Sequence, residues 1–215
     1  MNQDIDRARK TVLEASLKLA DLGFLAGIGG NIALRAGDEF VAVTPSGADY
    51  YELAPRDICV LRLDNLKQVA GDLDPSVESG LHASLLRSRT DLKASVHTHQ
   101  PIASAVAILR RQFPVQDPEA RSALGARVGL AGYAPSGTVF LVRAFRRAIR
   151  AKVNAYLLGS HGIVCGGADM KQGIRNVQLL EAEAGRYLYG EIKTKVDAGR
   201  TDANRPEVAL ALSIL

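Results

Sequence analysis

The chain has no tryptophan, only two cysteines, and draws just 5% of its 215 residues from the aromatic types. Without interleaved aromatics there is no platform on which unpaired bases could stack, so nucleic-acid binding is not expected. Cys59 and Cys165 each lie inside an apolar stretch. Two such thiols make no disulfide framework; they read as buried free cysteines in a protein of the reducing cytoplasm. No apolar run approaches the roughly 20 residues that cross a bilayer. The opening MNQDIDRARK carries acidic residues and no apolar segment, so neither a membrane span nor a secretory signal is expected. Neither GxGxxG nor GxxxxGK occurs, which excludes the common nucleotide-phosphate cradles.

The remainder describes a soluble globular chain, 47% hydrophobic and 23% charged with a net charge of +4. Its length suits one domain spanning residues 1–215, with no repeat, linker or low-complexity segment. One basic cluster stands out: Arg143, Arg146, Arg147, Arg150 and Lys152, alternating with Val142, Phe145, Ala148 and Ile149. That spacing is the solvated face of an amphipathic helix. The mild positive balance suits a small anionic substrate rather than a polymer.

Periodicity predicts a helix over residues 3–22, ended by Gly23, followed by a glycine-rich turn at AGIGGN. Residues 32–35 and 40–43 pattern as a β-hairpin around a Gly-Asp turn. TPSG is a tight turn. Pro55 opens a short ordered stretch before the strand ICVLRL, with a hairpin arm in NLKQVAG. Helices are predicted over 77–89, with Ser76 as cap, and over 101–109, after a strand over 94–99. Residues 112–127 read as polar and irregular. A strand over 129–133 precedes a helix capped by Ser136 or Thr138 and running to about Lys152. Buried strands over 155–160 and 162–165 flank His161, and Asp169 caps a last long helix reaching about Tyr189. The tail is polar after Gly199, then apolar at PEVALALSIL. Early strands arranged in hairpins with helices before and after predict a three-layer α/β/α sandwich, with a central, largely antiparallel or mixed sheet.

Three of the four histidines fall where a metal ion would want them. His97 and His99 stand two apart at the end of a strand-like run, which aims both rings into one space. His161 follows another apolar run and is followed by glycine. Three imidazoles with an open fourth position make a coordination set for a catalytic divalent ion such as zinc. Glu78 lies where a helix begins. A carboxylate there commonly balances the helix dipole, but beside a cation it can serve as a general base. His82, one helical turn on, shares its face and suits a supporting role. Gly30 and Asn31, the turn of Thr44, Ser46 and Gly47, and Ser76 are small or hydroxyl-bearing residues of the kind that let backbone N–H groups close on an anion.

In order, GGNIAL, TPSGADYYEL, PSVESGLH, HTHQPIASA and LLGSHGIVCGG resemble the class II aldolase/adducin family over residues 5–190. The group includes sugar-phosphate aldolases, a 4-epimerase, a dehydratase and decarboxylases. The resemblance implies a fourfold-symmetric homotetramer with active sites between subunits. It implies that His97, His99 and His161 hold Zn2+ or another divalent ion such as Mn2+, Co2+ or Fe2+, and that Glu78 ligates the resting metal and leaves it to act as base. It implies that Gly30, Asn31, Thr44, Ser46, Gly47 and Ser76 face a substrate phosphate. The expected reaction is cleavage of a carbon–carbon bond in a small ketose, as its phosphate, through a metal-stabilised enediolate. Decarboxylation of a keto sugar acid, epimerisation and dehydration are the alternatives on the same machinery, and a non-catalytic adducin-like scaffold is the alternative without chemistry. Three departures bear on this. Val77 stands where many phosphate-binding members carry a second serine. Glu78 stands where the epimerases carry Asp. The tail has no tyrosine matching the mobile proton donor of some aldolases; Tyr187, Tyr189 and Tyr133 are the nearest substitutes, with Tyr133 read as a buried structural residue.

Overall fold

The computed structural model describes residues 2–25 and 29–215; the expected turn at AGIGGN falls partly outside these, at positions 26–28. Eight strands form one sheet. They are β1 (Asn31–Ala36), β2 (Phe40–Val43), β3 (Cys59–Arg62), β4 (Gln68–Ala70), β5 (Ala94–Thr98), β6 (Gly129–Ala131), β7 (Ala155–Leu158) and β8 (Gly162–Gly167), in the order β4-β3-β2-β1-β5-β8-β7-β6. Every neighbouring pair is antiparallel except β6 with β7, which is parallel. The sheet is therefore mixed and mostly antiparallel, as its hairpin-rich start dictates.

The helices are α1 (Asn2–Asp21), α2 (Ser79–Ser88), α3 (Pro101–Ile108), α4 (Pro118–Leu124), α5 (Val139–Ala148), α6 (Met170–Asp197) and α7 (Pro206–Ile214). Strand alternation sorts them into two layers. Ile32, Ala42, Val96, Leu157, Ile163 and Cys165 point to one face and pack with α1, α3, α4 and α6. Ala33, Val41, Val43, Leu61, Tyr156, Leu158 and Val164 point to the other and pack with α2 and α5. A period of two along the strands thus builds two cores, one on each face of the sheet.

The helices follow their own period. In α1, Ala8, Val12, Ala15 and Leu19 are buried at steps of three and four, and Gly23 at φ +72° turns the chain out beyond its end. α5 buries Leu141 and Phe145, and Phe145 meets Tyr156 edge to face with centroids 5.3 Å apart. Full burial of such a ring contributes on the order of 1.5–3 kcal/mol, and it fixes α5 over β7. The basic side chains of the same helix face outward or lie half-exposed, as its spacing predicts.

Several boundaries differ from expectation. A helix, α4, occupies part of the segment read as irregular: Asp117 accepts the N–H of Ala120 at 2.9 Å, Pro118 takes the first helical position and Gly125 at φ +103° ends it. α2 begins at Ser79 rather than at 77, with Glu78 and not Ser76 at its N-cap. α5 stops four residues short of Lys152, and its cap is Thr138, whose hydroxyl accepts from Leu141 N. α6 runs eight residues past Tyr189, and the apolar tail forms α7. β5 ends at Thr98, so His99 lies just beyond the strand. Among the described residues no helix is long and apolar enough to cross a membrane.

Candidate active site

The site lies where β1, β5 and β8 meet α2. Register brings it together: Asn31 on β1 pairs with His97 on β5, and His97 pairs with Val164 on β8. Directly opposed residues of antiparallel strands point to the same side, here the side covered by α2. The turn between β7 and β8 carries His161 back to the same place; His161 N donates to Leu158 O at 3.0 Å, and Ser160 takes the left-handed conformation at φ +58° to close it.

The three histidines converge. Ring centroids lie 4.7 Å apart for His97 and His99, 4.9 Å for His97 and His161, and 5.0 Å for His99 and His161. His99 meets His97 although it stands outside the strand, with 3.0 Å between their Nε2 atoms. Two glycines allow the approach. A Cβ on Gly162 would lie 2.5 Å from His99 Cδ2 and 2.6 Å from Thr98 O, and one on Gly30, at φ +87°, would lie 2.7 Å from His97 O. Both positions exclude a side chain.

Glu78 completes the cluster. One carboxylate oxygen lies 3.1 Å from His97 Nε2, the other 3.4 Å from His161 Nε2. Asn31 Nδ2 donates to Glu78 at 3.0 Å, and Ser136 Oγ donates to its other oxygen at 2.9 Å. Burial alone would raise this carboxyl; the hydrogen bond and charge of His97, the Asn31 donor and the charge of His161 outweigh it and hold Glu78 well below the usual carboxylate range. It is ionised at neutral pH, the form that ligates a cation or accepts a proton.

The donor set fits a metal ion. His97 Nδ1 lies 2.7 Å from the carbonyl of Ile163, which can only accept, so that nitrogen carries a proton and Nε2 is the atom turned into the cluster. Burial, with the charges of His97 and His161 adding to it, pushes His99 down to about 4, and burial lowers His161 as well, so both offer lone pairs at pH 7. His161 Nδ1 is buried without a protein partner. One ligand atom from each ring lies within 4.8 Å of the others. Three ring nitrogens and an ionised carboxylate drawn this close make a donor set that a divalent cation would satisfy.

His82 differs. It is fully buried and bridges Ser95 Oγ at 2.8 Å and Asn31 Oδ1 at 2.7 Å, and burial first, then the charge of His97, pushes it down to about 3. It supports the site and does not join the cluster.

The expected anion-facing residues occupy neighbouring segments but different settings. Asn31 is tied to Glu78 and His82. The Thr44 hydroxyl is fully buried and accepts the N–H of Ile32 at 3.1 Å, while Thr44 O accepts from Ser76 N at 3.1 Å. Gly30 gives its carbonyl to the Tyr50 hydroxyl at 2.9 Å. The Ser76 hydroxyl accepts from Glu78 N at 3.2 Å. Ser46 and Gly47 are exposed, with Gly47 at φ +62°, and a bridge between Pro45 and Pro75 holds their turn beside Ser76. Ser136, read from sequence only as a helix cap, belongs to the site; its place in the turn PSG just ahead of a helix was the available signal. Tyr133 is 58% exposed rather than buried, with the Arg110 guanidinium 5.1 Å over its ring and Arg110 Nε donating to Ser160 Oγ at 3.1 Å. Tyr187 instead stacks on Phe113 at 4.8 Å. Cys59 and Cys165 are free and buried, and burial pushes the Cys59 thiol up to about 11 and raises Cys165 too, so neither supplies a thiolate at neutral pH.

A sequence profile of the Class II Aldolase and Adducin N-terminal domain matches residues 10–188. A 5-deoxy-D-ribulose 1-phosphate aldolase of Bacillus thuringiensis serovar kurstaki is 32% identical over 179 residues, 82% of each chain. An L-fuculose phosphate aldolase of Methanocaldococcus jannaschii is 28% identical over 176 residues, 82% of this chain and 93% of the other. The solved structure of an L-fuculose 1-phosphate aldolase superposes with a TM-score of 0.78 at 26% identity, covering 96% of this chain and 95% of that one. Further relatives bear the names of a 3-oxo-tetronate 4-phosphate decarboxylase and a methylthioribulose-1-phosphate dehydratase, so the kinship spans several reactions.

Proposed function

This chain belongs to the class II aldolase and adducin family, and from that premise we propose that it is a metal-dependent lyase that cleaves a carbon–carbon bond of a small ketose phosphate. The observation that carries this reading is the convergence of three imidazoles, two of which, His97 and His161, lie 3.1 and 3.4 Å from one carboxylate, Glu78. His97, His99 and His161 would hold the ion, zinc or another divalent metal, with Glu78 beside it. When bound, such an ion supplies Lewis-acid stabilisation of the negative charge that develops on neighbouring substrate oxygens.

The remaining work falls to this chain's own groups. As the bond breaks, the hydroxyl on the carbon that becomes the aldehyde gives up its proton, Glu78 takes up that proton, and Glu78 returns it to the carbon that keeps the electron pair; the reverse direction retraces these transfers. Asn31 and Ser136 orient it, one on each oxygen. The turn of Ser46 and Gly47 and the neighbouring Ser76 are the candidates for receiving the phosphate, with Gly30, Asn31 and Thr44 shaping the wall behind them. Val77, 68% exposed beside Glu78, contributes no hydrogen bond there, so this phosphate is held by fewer hydroxyls than a paired-serine site would offer.

We place the protein in the cytoplasm, which its two free buried thiols favour. We place it in a homotetramer with sites between subunits, which the exposed Val77, Val139 and Phe140 near Ser136 favour as surface for a neighbouring copy to cover. Light scattering of the purified protein tests the assembly. A metal-restored enzyme incubated with ketose 1-phosphates and keto sugar acids, read by product mass, tests the reaction. Two fragments are expected. Loss of carbon dioxide from a keto acid, the reading that Val77 favours, would replace cleavage with decarboxylation, and unchanged substrates without bound metal would leave a non-catalytic scaffold.

A further inference from the structure

His82 is the one histidine the proposed chemistry does not use, yet it sits at the centre of a buried chain of hydrogen bonds ending on Glu78. Ser95 Oγ lies 2.8 Å from His82 Nδ1, His82 Nε2 lies 2.7 Å from Asn31 Oδ1, and Asn31 Nδ2 lies 3.0 Å from Glu78 Oε2. All four residues are buried, with Ser95 and His82 essentially closed to solvent.

The chain has a direction, and chemistry fixes it from the Glu78 end. Asn31 Nδ2 stands 3.0 Å from Glu78 Oε2, so the group facing the carboxylate is the NH2; the opposite amide orientation would set a carbonyl against carboxylate oxygens. Asn31 therefore turns its carbonyl to His82, and His82 Nε2 must carry the proton. A neutral ring protonated at Nε2 has a bare Nδ1, which accepts the Ser95 hydroxyl proton. Each donor points the same way along Ser95, His82, Asn31 and Glu78. If the ring held its proton on Nδ1, Nε2 would face the Asn31 carbonyl lone pair to lone pair, and the amide would gain by turning its NH2 away from Glu78.

We infer that His82 is a positioning residue, held in its Nε2–H tautomer between the Asn31 carbonyl and the Ser95 hydroxyl, so that the Asn31 NH2 is presented to the Glu78 carboxylate. It touches neither substrate nor ion; it acts through Asn31. The same arrangement explains why a histidine sits in this core: one ring nitrogen gives and the other receives, which suits a link between a hydroxyl donor and a carbonyl acceptor. The inference rests on the assignment of Glu78 as proton carrier only for its kinetic consequence; the tautomer stands or falls independently.

The test uses the full chain loaded with zinc and labelled with 15N at histidine. Side-chain NMR at pH 7 is expected to show His82 neutral, protonated at Nε2 and bare at Nδ1. A proton on Nδ1, or on both nitrogens, overturns the inference whatever the enzyme does. In the second arm, Ser95→Ala and His82→Gln are compared with the parent for zinc content, kcat and KM on the substrate that the product-mass screen identifies. Loss of orienting partners around an active group typically costs about 10- to 100-fold. Here kcat is expected to fall at least about 10-fold while KM and zinc content stay near parental. Folded variants of both kinds that keep parental kcat overturn the inference, as does a fall confined to zinc content. If the tautomer is as expected but no ketose phosphate or keto acid is turned over, the proposed reaction fails and the positioning of Glu78 survives.

Discussion

Two neighbouring sites that share Asn31 and Glu78 hold histidines and put them to opposite use. Around His82 every partner is complementary: a hydroxyl gives to one nitrogen and a carbonyl receives from the other. Around His97, His99 and His161 the partners are alike: the Nε2 atoms of His99 and His97 face each other at 3.0 Å, and the Glu78 carboxylate faces the Nε2 atoms of His97 and His161 at 3.1 and 3.4 Å. Depth does not separate a structural histidine from a ligand, since His82 and His97 are both closed to solvent. The sign of what surrounds the ring does. A closed circuit of donors and acceptors needs nothing more, whereas imidazole nitrogens gathered round a carboxylate are a donor set that a positive ion would complete.

The sharpest way to break the contrast is to empty the second pocket. His99→Ala should lose most of its bound metal and all measurable turnover, read by elemental analysis and product formation; retention of a full metal complement would show that the three rings do not act as one set. Next in size is Glu78→Gln. It keeps the shape and a hydrogen-bonding side chain but removes the proton acceptor, so kcat should fall on the order of 10²–10⁴-fold with the fold intact by circular dichroism. Near-parental turnover would remove Glu78 from its role. Gly162→Ala should come third. Its new methyl would land on His99 Cδ2 and Thr98 O, forcing the ring away, and metal affinity should drop about 10-fold in a titration.

Acid distinguishes the pockets more gently. His82 at about 3 and His99 at about 4 both lie below the ordinary 6.5, so below pH 6.5 the unfolded chain binds protons that the folded one refuses. Stability from these groups is whole above 6.5 and is lost as pH falls toward 4, and Glu78, also lowered, acts in the same direction below its ordinary 4.5. The melting temperature of the metal-free protein should therefore fall steadily from pH 7 to 4, and a flat profile would contradict the burial of both rings. The smallest effect belongs to Val77→Ser. One added hydroxyl is worth about 0.5–1.5 kcal/mol, so inorganic phosphate should inhibit roughly 2- to 10-fold more tightly, and no change would place the phosphate away from Ser76.

Much of this was legible in the chain. The hairpins of β1 to β4 followed from alternation and turn residues, and the pairing of His97 with His99 and His161 followed from two strand ends with a glycine beside one of them. What escaped was of two kinds. α4 was missed although Asp117, Pro118 and Gly125 form a complete start and stop signal, because the polar stretch before it masked a seven-residue helix. The extent of α6 was misjudged because Gly190 and the charges after it do not end a helix already anchored along its first five turns. The second kind is tertiary. Ser136 meets Glu78 across 58 positions, and Asn31 joins Glu78 to His82. Neither contact has a local signature; each exists only because α2 and the loop before α5 close over the same strand ends.

Of the three clustered histidines, His97 in β5 and His99 just beyond it precede His161, at the turn into β8, by at least sixty-two positions. A chain emerging from the ribosome therefore displays two imidazoles long before the third, and a pair binds a divalent ion far less firmly than a closed trio. An ion held by this trio would be captured only once the centre of the sheet had zipped together, and would act as a late clasp that rewards the finished topology by mass action rather than as a seed around which it grows.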